Sequence, residues 1–254
     1  MFNPDHPPAP RSRRQQGLSL VELLAGLAVG MLVVLAALGT LLISREAAGT
    51  VADLSQLQQQ GTYALHVMGL QFRQAGAIEV LRDDATGLHA FGTNRAQAAG
   101  TDFAVFGIDG KDARPDKVSV AYAAAAWVKA PGQFDCSGAG VSDGERVDAT
   151  FEVDAKGQLS CTGRRKQPLV RGVADFQVRY RTVTAGEVRI MDAREVEALK
   201  RWDTVAAIEI CLDLQGDEKS PSPGSTYRGC KDGERPTNGR THLVFRNVFG
   251  LRAQ

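Results

Sequence analysis

The chain is poor in the residues and spacings that announce chemistry. It holds four cysteines and four histidines in 254 residues. No two cysteines form a CxxC, and no histidine sits at ligand spacing beside one, which argues against a zinc centre or a thioredoxin-type redox site. GxSxG, Walker A and HExxH are all absent. "SGAGVSDG" places glycines at 138, 140 and 144, one residue off the dinucleotide fingerprint and outside a strand–helix context, so it reads as a loop. "DGKDARPD" lacks EF-hand spacing, which leaves open only a simpler loop site for calcium in an exported protein. His66, His89 and His242 read as solvated or core-edge residues. An excess of one charge is missing too. The formal net charge is +1 and no basic patch interleaves with aromatics, so no nucleic-acid contact is predicted. The sequence therefore offers no catalytic, cofactor or metal residues, and it has no internal repeat.

What the chain does have is a folded composition, 43% hydrophobic and 23% charged, in a length that suits one large domain or two small ones. Its leading feature is "RSRRQQGLSLVELLAGLAVGMLVVLAALGTLLI". From Leu18 to Ile43 the single charged residue is Glu22. As a helix this run would be about 39 Å long, more than the ~30 Å hydrocarbon core of a bilayer. A secretory signal has an apolar core of only about 7–15 residues and a small-residue cleavage site, which is not evident here. Arg11, Arg13 and Arg14 precede the run, while Arg45 and Glu46 after it cancel. The positive-inside rule then puts the N-terminus in the cytoplasm and the body outside, on a single-pass anchor.

Anchoring does not explain Glu22. A carboxylate this far into a span is costly unless it reaches the interface or meets a cation. Cleavage after Gly17 would create such a cation, the new α-amino group of Leu18. Gly26 and Gly30 form a GxxxG that permits close helix approach.

The helix is expected to continue. Ala47, Val51, Leu54, Gln58, Gly61, Leu65, Met68 and Phe72 recur every three to four residues, and Gly76 offers a stop. Beyond it the period changes. "DFAVFGI", "DKVSVAY", "VADFQVRYRT", "VAAIEICLDLQ" and "HLVFRNVFGLR" read as strands, and "TFEVDAKGQLSCTG" reads as a hairpin about Lys156–Gly157. "DAREVEALKRW" reads as a short helix or part of an excursion. The segment around Pro221 and Pro223 reads as a solvated connection. The predicted fold is α+β, a long N-terminal helix on a mainly antiparallel sheet. Its parts are a leader (1–17), a transmembrane helix (18–43), its amphipathic continuation (44–76) and a β-rich body (77–254).

Cys136, Cys161, Cys211 and Cys230 form an even set beyond a membrane segment, which points to an oxidising compartment. Four cysteines allow three pairings, and the sequence does not choose among them. Modest loop length favours Cys136–Cys161 and Cys211–Cys230, each worth about 3 kcal/mol on the chain-entropy argument.

"QQGLSLVELL" resembles the class III signal of type IV pilins and pseudopilins. The resemblance implies that Gly17 is the last leader residue, cut by a prepilin peptidase, and that Leu18 is the N-methylated mature terminus. It also implies that Glu22 is the carboxylate that pairs with a neighbouring subunit's terminal amine during assembly. Leu18 stands where most members have Phe, and Gly39 lies where many major subunits have a proline. "LVRGVADFQVRYRT", "VAAIEICLDLQ", "YRGC" and "VFRNVFGLR" resemble the W-type minor pilins. That resemblance implies a non-catalytic subunit of an inner-membrane and filament system, priming assembly or sitting near the tip. Its implied partners are the prepilin peptidase, other minor pilins, the major pilin, an inner-membrane platform protein and a tip adhesin; its implied role is pilus biogenesis, in support of twitching motility, adhesion or DNA uptake. Two alternatives stand beside it: a J-type pseudopilin of a type II secretion system, and a single-pass anchored periplasmic enzyme.

Overall fold

The computed structural model describes residues 19–77, 80–82, 89–91, 98–101, 103–111, 114–124, 133–142, 144–219 and 224–252. For Ile43, Glu46, 80–82 and 89–91 it describes the backbone alone. The chain divides into two units, Met1–Gly49 and Thr50–Gln254. One helix, α1 (Leu20–Gln74), begins in the first and ends in the second. It stops where Gly76 takes a left-handed φ of 80°, a conformation glycine favours at helix ends, and the Gly76 N–H leaves the helix to donate to Ala121 O at 3.0 Å.

The strands of the second unit are all antiparallel. A hairpin of β1 (Val80–Arg82) and β2 (His89–Phe91) comes first. Then β3 (Val105–Ile108), β4 (Lys117–Ala123), β5 (Arg146–Val153), β6 (Leu159–Thr162) and β7 (Lys166–Val170) pair in chain order as a five-stranded meander. The β5–β6 turn falls at Asp154–Gly157 as its residues predict, with Gly157 at φ 68°. The remaining elements are β8 (Val173–Thr184), β9 (Glu187–Met191), α2 (Ala193–Ala198), β10 (Val205–Lys219), β11 (Thr226–Arg228), β12 (Glu234–Pro236) and β13 (Arg240–Gly250). They supply a four-stranded sheet in the order β13-β10-β8-β9, with β11 and β12 as a separate hairpin. The short helix is real and stands on a capping box, Asp192 with Glu195.

Register explains the core. Ile208, Ile210 and Leu212 of β10 stand opposite Tyr180, Val178 and Phe176 of β8, so all six share one face and are buried. The body end of α1 lays Leu57, Ala64, Met68 and Phe72 into the same core. Phe72 is the keystone. Its ring meets Phe151 of the five-stranded sheet at 5.4 Å and Phe249 of the four-stranded sheet at 5.5 Å, edge on in both cases. The buried stripe agrees with the periodic one from Gly61 onward but departs from it earlier. Val51, Leu54 and Gln58 are exposed, and Asp53 and Leu57 are buried instead. Asp53 turns inward because Asp217 N–H donates to its Oδ1 at 3.2 Å, at the irregularity in β10.

Candidate functional site

The N-terminal part of α1 is the first candidate. From Leu20 to Ile43 helix-forming Leu and Ala make up more than half of it, and no proline interrupts it. Within it lies an 18-residue window of mean hydropathy 2.5, so α1 is long and apolar enough to cross a membrane. Its large side chains are bare all round: Leu20, Val21, Leu23, Leu24 and Leu27 each expose more than half of their surface. An apolar helix with no buried stripe needs lipid or other helices around it. A Cβ built on Gly26, Gly30 or Gly39 would meet nothing within 4 Å, so the GxxxG face is unoccupied within the described residues.

Glu22 sits in the first turn, where its own N–H and that of Leu23 donate to Ser19 O at 3.0 and 3.1 Å. The positive end of the helix dipole favours a carboxylate there. Among the described residues no side chain forms an ion pair with it. Gly17 and Leu18, the expected cleavage and methylation positions, lie outside the described residues, as do the leader and the loop prolines Pro221 and Pro223.

The cysteines form two bridges, Cys136–Cys161 and Cys211–Cys230, and no described cysteine is free. Each bridge is embedded in a polar clamp that the sequence reading did not find. Around the first, Asp135 Oδ1 accepts from Ser137 N, Ser137 Oγ and Ala139 N at 2.7–2.9 Å, and its Oδ2 accepts from Arg164 N at 2.7 Å. This ties the 135–140 loop to the β6–β7 turn. Burial pushes the Asp135 carboxyl up, but these hydrogen bonds outweigh it and hold it below the ordinary carboxylate value.

Around the second bridge, the β11–β12 hairpin folds against the outer face of β10. Asp213, fully buried, accepts from the Tyr227 hydroxyl at 2.5 Å and lies 3.0 Å from His242 Nδ1. Tyr227 stacks on His242 with ring centroids 4.1 Å apart. Arg235 reaches Asp175 at 3.3 Å, and Arg246 donates to Gly229 O at 2.6 Å. Burial, then the bond to Asp213, pushes the Tyr227 hydroxyl far up, so it stays a donor across the working pH range. His242 is thus buried and paired, while His66 is exposed and the His89 side chain is not described. Alternation in "ICLDLQ" reads Cys211 and Asp213 as solvent-facing; the excursion that covers them is not legible in the strand itself.

In the acidic "DGKDARPD" loop the two described aspartates are already committed. Asp109 accepts from Ala193 N, Arg194 N and Arg194 Nε, and Asp116 accepts from Gly110 N and Val178 N. Among the described residues no group of three or more His, Cys, Asp or Glu is arranged to hold a metal ion. What the described residues do present is an apolar helix with one carboxylate near its head, and a body stapled by two disulfides.

Residues 12–38 match the prokaryotic N-terminal methylation motif. Comparison with curated proteins finds no match. Among solved structures, the chain is similar to a type IV-like pilin from Thermus thermophilus, at 16% identity and a TM-score of 0.48, over 77% of this chain and 95% of that one. The chain therefore carries a prokaryotic N-terminal methylation motif, and Gly17, Leu18 and Glu22 all fall within it.

Proposed function

We propose that this chain is a minor pilin of a type IV pilus, a non-catalytic subunit that primes assembly or sits near the filament tip. The observation that carries the reading is the methylation motif over residues 12–38 at the head of a bare apolar helix whose carboxylate lies in its first turn. In this account a prepilin peptidase cuts after Gly17 and methylates Leu18. The chain waits in the inner membrane with its N-terminus in the cytoplasm and its body in the periplasm, where two disulfides persist. Extraction into the filament exchanges lipid for the helices of other minor pilins and the major pilin. Glu22, dehydrated by that packing, is neutralised by a neighbour's terminal amine, because an unpaired buried carboxylate is strongly unfavourable. An inner-membrane platform protein and a tip adhesin complete the partners. The filament it helps to build serves twitching motility or adhesion.

The test is Glu22→Ala. The processed protein is expected to accumulate in membranes and to enter sheared filaments poorly. Normal incorporation contradicts the pairing. Deletion of the chain separates a pilus from a secretion pseudopilus: loss of surface pili with intact protein secretion supports the pilus, and the reverse outcome contradicts it.

A further inference from the structure

The four-stranded sheet ends on one side in β9. β7, an edge of the other sheet, carries Pro168 and Lys166, which discourage further pairing. β9 (EVRIM) has no proline and exposes Val188 by 59% and Ile190 by 51%. Val183 of β8, directly opposite Val188, is also exposed, and Leu199 lines a shallow groove with Ile190.

The free edge has a defined register. Thr184 and Glu187 close a two-residue turn, Ala185–Gly186, in which both residues have positive φ, 49° and 82°. Such a turn makes Thr184↔Glu187 a hydrogen-bonded pair. Antiparallel alternation then directs the N–H and C=O of Val188 and Ile190 away from β8, toward the open edge. The charges flank that point: Glu187 and Arg189 stand two apart on the same face, paired among the described residues with each other at 3.1 Å and both largely exposed.

We infer that β9 joins two copies of this chain edge to edge, antiparallel, about a two-fold axis at Val188. That register sets Val188 opposite its twin as a hydrogen-bonded pair and places Glu187 of each copy opposite Arg189 of the other, twice. Ile190 falls opposite Gly186 of the partner copy, where a Cβ would meet nothing within 4 Å. The row Val183–Val188 continues across the joint into the same two residues of the second copy. A two-fold axis one residue further along would oppose Arg189 to itself, so the charges choose the register. The joint lies in the body and does not depend on the pilin reading.

The test uses the purified full chain in detergent, carrying Val188→Cys. The hydrogen-bonded pair puts the two Cα atoms about 5.5 Å apart, within disulfide reach. Oxidation is expected to give a covalent dimer, and Arg179→Cys, exposed on the neighbouring strand, is expected to give none. Adding Glu187→Arg is expected to reduce the Val188→Cys dimer on the order of tenfold, because two attractive pairs become repulsive. Adding Arg189→Glu as well is expected to restore it. Cross-linking no greater than the Arg179→Cys control, or insensitive to the charge changes, overturns the joint. A Glu22 defect leaves this result unchanged, so the two proposals fail separately.

Discussion

Asp213 Oδ2 accepts the Tyr227 hydroxyl while Asp213 Oδ1 lies 3.0 Å from His242 Nδ1, and the two aromatic partners stack on each other at 4.1 Å. One buried carboxylate thus fixes the hairpin β11–β12 to both β10 and β13. Tyr227→Phe removes a hydrogen bond to that carboxylate and is expected to cost about 2 kcal/mol. For a body of this size the melting temperature should fall by roughly 4–8 °C. Thermal unfolding of the full chain in detergent, followed by near-ultraviolet circular dichroism, measures it; an unchanged midpoint contradicts the role given to Tyr227.

The disulfide beside that clamp closes a separation of 19 residues, and Cys136–Cys161 closes 25. Replacing both members of either pair by alanine is expected to cost about 3 kcal/mol. Reductant should reproduce both losses in the unsubstituted chain. A chain whose unfolding midpoint ignores reductant contradicts the expectation.

Asp135 makes the pH dependence explicit. Its carboxyl is held below its ordinary value of 3.8 in the folded state. The ionised form is the stabilising one, so its contribution is complete above about 3.8 and is lost as pH falls through the folded value. Asp135→Asn should be less stable than the parent at neutral pH, and the gap should close in strong acid. Urea unfolding at a series of pH values checks this; a gap constant with pH contradicts it.

Much of this fold is legible in the sequence, and the failures share a physical cause. Alternation marks β8 and β10 because Phe176, Val178, Ile208 and Ile210 each face one core. Gly76 and Gly157 announce a helix end and a turn, since both need a left-handed φ. β7 and β9 are invisible because edge strands bury little: Lys166, Gln167, Glu187 and Val188 are all exposed. The inward turn of Asp53 and the burial of Asp213 depend on partners far along the chain, which no local period encodes. The helix head is the opposite case. Its residues make almost no contacts within the chain, so the candidate site there is legible as a motif alone.

Gly61 tests the docking of the helix on the sheet. A Cβ there would run into the Phe245 ring. Gly61→Ala gains up to about 1 kcal/mol of helix propensity but forces that ring aside, at about 1–3 kcal/mol. The second term wins, so a net loss of stability is expected; Phe245→Ala should relieve the clash in the double variant. A more stable single variant contradicts the packing described.

The central claim is that Glu22 serves an amine that processing creates. The direct measurement is the intact mass of this protein in membranes from cells with and without the prepilin peptidase. A peptidase-dependent chain beginning at Leu18 and carrying one added methyl group is the predicted result. The same full-length mass in both strains contradicts it, because Glu22 would then have no amine to meet.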